Sequence, residues 1–367
     1  MPLTIVGSRC PARLAIAEMR PPGSARIIAV SGVACGMGDP VANVVVTGAA
    51  GFLGSRLARE LLAAGPIGVA GAEPAPLARL TLIDQAPIPG DLAADDRVTA
   101  IRADLLDIEP AGIAGADVVF HLAAAVSAEC EADFDLGLRA NLGATQALLA
   151  ACRAAGSTPV VVFASSLAVF GGSAEHPLPA VVDDHTLPNP QSSYGIQKFI
   201  GEQLLADYTR KGFLRGRSVR LMTVSVRPGR PNRAASGFLS GIIREPLAGQ
   251  RTTCPVPEQT EVALASPARA TAGLLRAAAA SGQAWGGRTA VTLPALTVTV
   301  GGMVAALERV AGPAAAALIG WVPDPAIAAI VTGWPARVRA GRARGLGLHP
   351  DPDFDSIIRL HLAESRR

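Results

Sequence analysis

The stretch NVVVTGAAGFLGSRLARELLA, residues 43–63, reads as a strand, a turn and a helix in immediate succession. The β-branched run from Asn43 to Thr47 suits a strand buried on both faces. From Phe52 onward, Leu53, Leu57, Leu61 and Leu62 recur at helical spacing. Between the two lie Gly48, Gly51 and Gly54, in a G-x-x-G-x-x-G pattern that opens directly into the helix. Glycine allows the tight turn and lets backbone approach a pyrophosphate closely, and the free N–H groups of the helix start then hold the anion. A plain strand-to-helix turn would not need three glycines. The pattern predicts a dinucleotide phosphate site built by Gly48, Gly51, Phe52, Leu53 and Gly54.

Outward from this unit the alternation continues. Further strands are expected at 80–84, 98–104, 117–123, 159–165 and 218–228, with a long amphipathic helix through Arg153 and another over 191–211. Strands alternating with helices imply parallel pairing, so the expected fold is α/β: a Rossmann-type, doubly wound parallel sheet. This dinucleotide-binding domain spans 43–228. After Pro228 the regularity weakens, and residues 229–367, rich in Pro and Gly, read as a smaller α/β substrate cap with room for segments that return to the sheet. Residues 1–42 carry five prolines and no sustained period, which predicts a disordered, dispensable extension.

Composition removes several classes of function. Half of the 367 residues are apolar and 17% are charged, which excludes an intrinsically disordered chain. The net charge is +3 and the 33 basic residues are scattered, so a nucleic-acid partner is not expected. The chain has no uncharged apolar run long enough to span a membrane. Five cysteines without metal-ligand spacing fit a reducing, cytoplasmic setting and no metal site. Lysine and tyrosine are rare: Lys198 and Lys211 are the two lysines, Tyr194 and Tyr208 the two tyrosines.

One of each falls in QSSYGIQK, where Tyr194 and Lys198 share a helix face four residues apart. An ammonium there is expected to lower the phenol's pKa and make it a usable acid/base. Ser165 and Ser166 end the strand before, placed to hydrogen-bond a substrate oxygen beside the phenol. Asp84, ending the second strand, is placed to accept hydrogen bonds from the adenosine ribose hydroxyls and to repel a 2′-phosphate, which favours NAD over NADP. Asp104, ending the third, can reach the adenine edge or cap a helix.

TGAAGFLG (47–54), HLAA (121–124), SSLAVFG (165–171) and YGIQK (194–198) together resemble the extended short-chain dehydrogenases, the NAD-dependent epimerase/dehydratase family, from residue 43 to about 310. The resemblance implies NAD as cofactor. It implies Ser166, Tyr194 and Lys198 as the catalytic set, with Asn141 completing a proton-relay water site. Leu122, Ala123, Ala124 and Pro228 then match cofactor contacts, and Ser127 and Ser236 match pocket-lining positions. Within the family, SSLAVFGG, VRPGRPN and PDPAIAAIVTGWP are similar to members that oxidise four-carbon sugar acids, which implies oxidation of D-erythronate at C2 to 2-oxo-tetronate. FGG follows the serine where many relatives carry Tyr-Gly.

The small-molecule sugar-acid substrate would need a cation for its carboxylate; Arg227, Arg230, Arg233, Arg244 and Arg251 lie within 25 residues of one another. A nucleotide-sugar epimerase with tightly bound NAD is the alternative reading, although Phe238 is the one aromatic near 229–260 to stack a base. A dehydratase would place an Asp-Glu pair where Leu167-Ala168 stand. A non-catalytic NAD-sensing regulator would have lost the tyrosine or the lysine, and both are present. A homodimer is left open by the sequence.

Overall fold

The computed structural model describes residues 41–229 and 236–365. The expected N-terminal extension lies, up to residue 40, outside the described residues. Strand β1 (Ala42–Thr47) leads through the glycine turn into α1 (Phe52–Ala63). Strands β2 (Leu77–Asp84), β3 (Val98–Arg102), β4 (Val118–His121), β5 (Val160–Ser166) and β6 (Arg215–Leu221) follow. They join one sheet in the order β6-β5-β4-β1-β2-β3, and a short strand β7 (Val291–Thr292) closes it beyond β6. Every pairing in this seven-stranded sheet is parallel. Chain order reverses between β1 and β4, and that switch point opens a crevice at the carboxyl ends of the strands.

Apolar residues fill both faces of the sheet. On one side Leu57 and Leu61 of α1 pack with Val44, Val46, Leu80 and Leu82. On the other, Leu148 and Leu149 of a helix at Ala144–Ala155 pack with Val45, Val119, Val161 and Phe163. A third core, including Leu239, Ile242, Val262, Met303, Leu307 and Ile358, lies within the C-terminal segment. That segment carries its own three-stranded sheet, in which Thr223–Val224 pairs with Glu261–Ala265, and Glu261–Ala265 with Leu296–Thr299. The chain therefore leaves the large sheet after β6, lays down the first part of this third core, returns to the sheet as β7, and then completes the core.

Two expectations differ from the structure. The helix expected to run unbroken to Arg153 is four pieces: α2 (Ser127–Ala132), a turn at Phe134–Gly137, a wide π turn at Leu138–Gly143, and α3 (Ala144–Ala155). Asp133 stops the first piece and caps the second, its carboxylate accepting from Leu136 N at 2.9 Å. The π turn carries Asn141 inward, where its amide bonds the Ala125 backbone. The strand expected over 218–228 ends at Leu221 because the chain crosses to the smaller sheet at Thr223. Helix α4 (Ser193–Arg210) stands where expected, capped by Ser192 Oγ accepting from Gly195 N at 3.1 Å.

Candidate active site

A cleft of about 400 Å³ opens over the switch point. Its lining includes Gly48, Gly51, Phe52, Leu53 and Gly54 of the glycine loop, Leu122, Ala124 and Ser127 after β4, and Ser166, Tyr194, Lys198, Arg227 and Ser236. Sequence reasoning expected every one of these in a site, Arg227 as one of five arginines.

The glycine loop fits a dinucleotide on its own geometry. Gly48 has φ +70°, and a Cβ there would sit 2.6 Å from Ala123 N. A Cβ on Gly54 would run into Gly48 O. Helix α1 begins at Gly51 without a side-chain cap and without an acid in its first turn, so its leading N–H groups suit an anionic ligand. Asp84 lies beside the loop, its Oδ2 accepting from Ala50 N at 3.0 Å and its Oδ1 from Ala86 N at 2.9 Å. Asp104 Oδ1 accepts from Leu106 N at 3.0 Å, capping a short turn, and Asp104 does not line the cleft. Pro228 is exposed beyond the cleft's edge.

Ser166 ends β5 and lines the same cleft as Tyr194. Its Oγ accepts from Ala168 N at 3.1 Å, which fixes the rotamer. Lys198 is buried; its Nζ donates to Ala164 O at 2.9 Å and sits 4.9 Å from the Phe163 ring centroid. The sequence predicts that Lys198 lowers the phenol's pKa. In the structure Nζ is 5.7 Å from the Tyr194 ring centroid, and burial pushes the phenol up to about 12. What pulls it down is the polar Ser166 hydroxyl and the Arg227 charge. Burial likewise pushes the Lys198 ammonium down to about 8.

Asn141 lies behind the cleft. Its Oδ1 accepts from Ala125 N at 2.8 Å, and its Nδ2 donates to Gln197 Oε1 at 2.8 Å. His121 bridges β1 to α3 through Thr47 Oγ1 at 2.8 Å and Thr145 Oγ1 at 2.9 Å. Burial and the Lys198 charge hold it neutral, with a pKa of about 3.

The arginines, interchangeable in sequence, separate in space. Arg227 lines the cleft and donates from Nη2 to Ser236 Oγ at 3.1 Å. Arg244 is committed to Glu245 and to the Arg227 carbonyl, at 2.5 and 2.8 Å. Arg251 is exposed and does not line the cleft. Arg230 and Arg233 lie outside the described residues. Phe238 packs against the C-terminal core and does not line the cleft.

Among the described residues no group of acidic, His or Cys side chains could hold a metal, and no helix is long and apolar enough to cross a membrane. Cys130, Cys152 and Cys254 are buried free thiols.

Residues 44–263 match the model of the NAD dependent epimerase/dehydratase family. The chain is 49% identical over 326 residues to D-erythronate dehydrogenase of Cupriavidus necator, covering 88% of this chain and 98% of that protein. It is 39% identical over 322 residues to D-erythronate dehydrogenase of Haemophilus influenzae, covering 86% and 97%. Among solved structures, the nucleoside-diphosphate-sugar epimerase from Agrobacterium tumefaciens superposes with a TM-score of 0.81 at 40% identity, covering 89% of this chain and 96% of that one. With its glycine loop, its switch-point cleft and its Tyr-Lys helix, the chain belongs to the NAD-dependent epimerase/dehydratase family and is an NAD-dependent oxidoreductase of CH–OH groups.

Proposed function

We propose that the protein oxidises the C2 hydroxyl of a four-carbon sugar acid, D-erythronate first among candidates, to the 2-oxo acid with formation of NADH. The observation that carries this reading is Arg227. It brings a guanidinium into the same cleft as Ser166, Tyr194 and Lys198, and it shares a hydrogen bond with Ser236. A carboxylate is recognised best by such a planar donor fork. The relatives matched nearly end to end are dehydrogenases of a four-carbon sugar acid.

In this mechanism the glycine loop and the start of α1 hold the pyrophosphate, and Asp84 the adenosine ribose. Arg227 and Ser236 anchor the substrate carboxylate, which sets the adjacent C2 hydroxyl against Ser166 and Tyr194. Tyr194 Oη takes the hydroxyl proton while Ser166 holds the oxygen. Arg227 and the Ser166 hydroxyl favour the phenolate that this needs. Lys198, clamped on Ala164 O, adds positive charge beneath the reacting oxygens. Asn141 orders the Ala125 backbone that borders the cleft, and stands one shell behind the reacting atoms. NAD, when bound, supplies the hydride acceptor and a further positive charge. General-base help of this kind accelerates turnover by about 10²–10⁴-fold.

The test is NADH formation with a panel of four-carbon aldonates, longer aldonates and hydroxy amino acids. Steady NADH production with a four-carbon aldonate supports the reading. Stoichiometric bound NAD with no net NADH from any of them would instead identify an epimerase, which returns the hydride to its substrate.

A further inference from the structure

The chemistry above leaves one buried charged cluster without a task. Glu202 and Arg220 are 2% and 7% exposed. Arg220 Nε and Nη2 donate to the two Glu202 carboxylate oxygens at 2.8 and 2.7 Å, and Ser165 Oγ donates to Glu202 Oε1 at 2.5 Å. The Arg220 guanidinium lies 4.8 Å from the Phe170 ring centroid. Ser165 and Arg220 are register partners on β5 and β6, so Glu202 reaches down from α4 between neighbouring strands.

The placement follows a rule. Tyr194, Lys198 and Glu202 are spaced four apart on α4 and share one face. Consecutive residues of β5 meet two of them, Ala164 O receiving Lys198 Nζ and Ser165 binding Glu202, while the next residue, Ser166, lines the cleft with Tyr194. The Glu202 contact is the tightest of these joints. A buried ion pair is weak evidence of stabilisation, since apolar residues of similar volume often serve as well or better. Here it occupies the end of a register that decides where the two reacting side chains stand.

We propose that Glu202, held by Arg220 and tied to Ser165, is a positioning residue of the oxidation: it fixes α4 on β5 and sets its carboxylate one helical turn from Lys198, on the same face. This rests on the role given above to Tyr194 and Lys198. The charged and titratable groups that bear on Lys198 are Tyr194 and Glu202 on its own helix, His121 on β4 and Cys130 on α2; behind them Arg220 on β6 pairs with Glu202, and Glu129 and Glu131 flank Cys130. His121 is neutral, and burial pushes the Cys130 thiol up, so it too is neutral near pH 7. Against the burial that pushes Lys198 down to about 8, Cys130 and then Glu202 pull upward, and of these two Glu202 is the one held in an ion pair, with Arg220.

The chain's two lysines make the test direct. With isotope-labelled lysine side chains, a pH titration by NMR yields two signals, Lys198 and the exposed Lys211, which serves as internal reference. Glu202→Gln keeps an acceptor for Ser165 and removes the charge, so the Lys198 midpoint should fall by about one pH unit while Lys211 stays put. The high-pH limb of kcat should move down with it. Glu202→Asp, which keeps the charge, should restore most of the midpoint. Glu202→Gln/Arg220→Met leaves no buried charge unpaired and should shift in the same direction, so it stands in if the single variant does not fold. A Lys198 midpoint that stays at the wild-type value in the Gln variants overturns the proposal, even if their Tm falls. The titration does not depend on turnover. Failure of the underlying reading shows separately, as Tyr194→Phe or Lys198→Met enzyme that still turns over.

Discussion

Asp84 should decide the choice between NAD and NADP. Its two oxygens each accept one backbone N–H, from Ala50 and from Ala86. An ionised carboxylate has about four lone-pair sites, so two remain for ribose hydroxyls. A 2′-phosphate would bring like charges to about 4 Å, which costs about 4 kcal/mol at the effective dielectric of a protein surface. Screening in a half-open cleft reduces this to on the order of 3 kcal/mol. At about 1.4 kcal/mol per tenfold, NAD should be preferred by at least roughly a hundredfold in kcat/KM. Asp84→Asn removes the charge and keeps an oxygen for one N–H, so the preference should shrink by at least about tenfold, chiefly through better use of NADP. Asp84→Ala also releases the Ala50 amide, so NAD use should fall as well. The assay is kcat/KM with each cofactor at one fixed, low ionic strength. Comparable wild-type values for NAD and NADP, or an Asn variant with an unchanged ratio, would refute the reasoning.

Tyr194→Phe should lower kcat by about 10²–10⁴-fold while NAD affinity, read by titration, stays near wild type; more than about a tenth of kcat surviving would contradict the assignment. Gly48→Ala places a Cβ 2.6 Å from Ala123 N at φ +70°, so Tm should drop and NAD titration should show binding weakened well beyond measurement error. The left-handed backbone alone costs a side chain about 1–2 kcal/mol. Arg227→Met should raise KM for a carboxylate substrate by about ten- to a hundredfold, the value of a charge-assisted hydrogen bond, with a smaller change in kcat. A decarboxylated alcohol analogue should respond little to that substitution, and an equal response from both compounds would move the anion site elsewhere.

The parallel sheet was legible because its signals are local: β-branched runs for strands, leucines at helical spacing, and glycines where backbone must turn under a phosphate. Gly48, Tyr194 and Lys198 could be named for the same reason, since a glycine turn and an i, i+4 pair each fix a direction in space; the strand end offered Ser165 and Ser166 alike, and the family resemblance singled out Ser166. The wide turn at Leu138–Gly143 was not legible, because it is made by Asn141 bonding to Ala125, sixteen residues earlier in the chain. Nor could sequence sort the arginines. Arg227 and Arg244 look alike until Glu245 occupies one of them and the cleft receives the other. Spacing says nothing about Arg220 either, whose partner Glu202 reaches it only after α4 has folded onto the sheet.

The return of the chain as β7 has a consequence for taking the molecule apart. Val291 and Thr292 pair with Val219 and Arg220, so the strand that carries the Glu202 partner has its outer edge covered by a segment made some seventy residues later. Val338–Arg339 likewise pairs in parallel with Val182–Asp183, stitching the two halves together a second time. A fragment cut after Pro228 would retain every glycine of the phosphate loop and the side chains of Ser166, Tyr194 and Lys198, yet it would bare the backbone of β6. Bared strand edges invite pairing with other chains. The dinucleotide half is thus not a portable cassette, and grafting a foreign substrate lid onto it would require bringing along a strand to seal that flank.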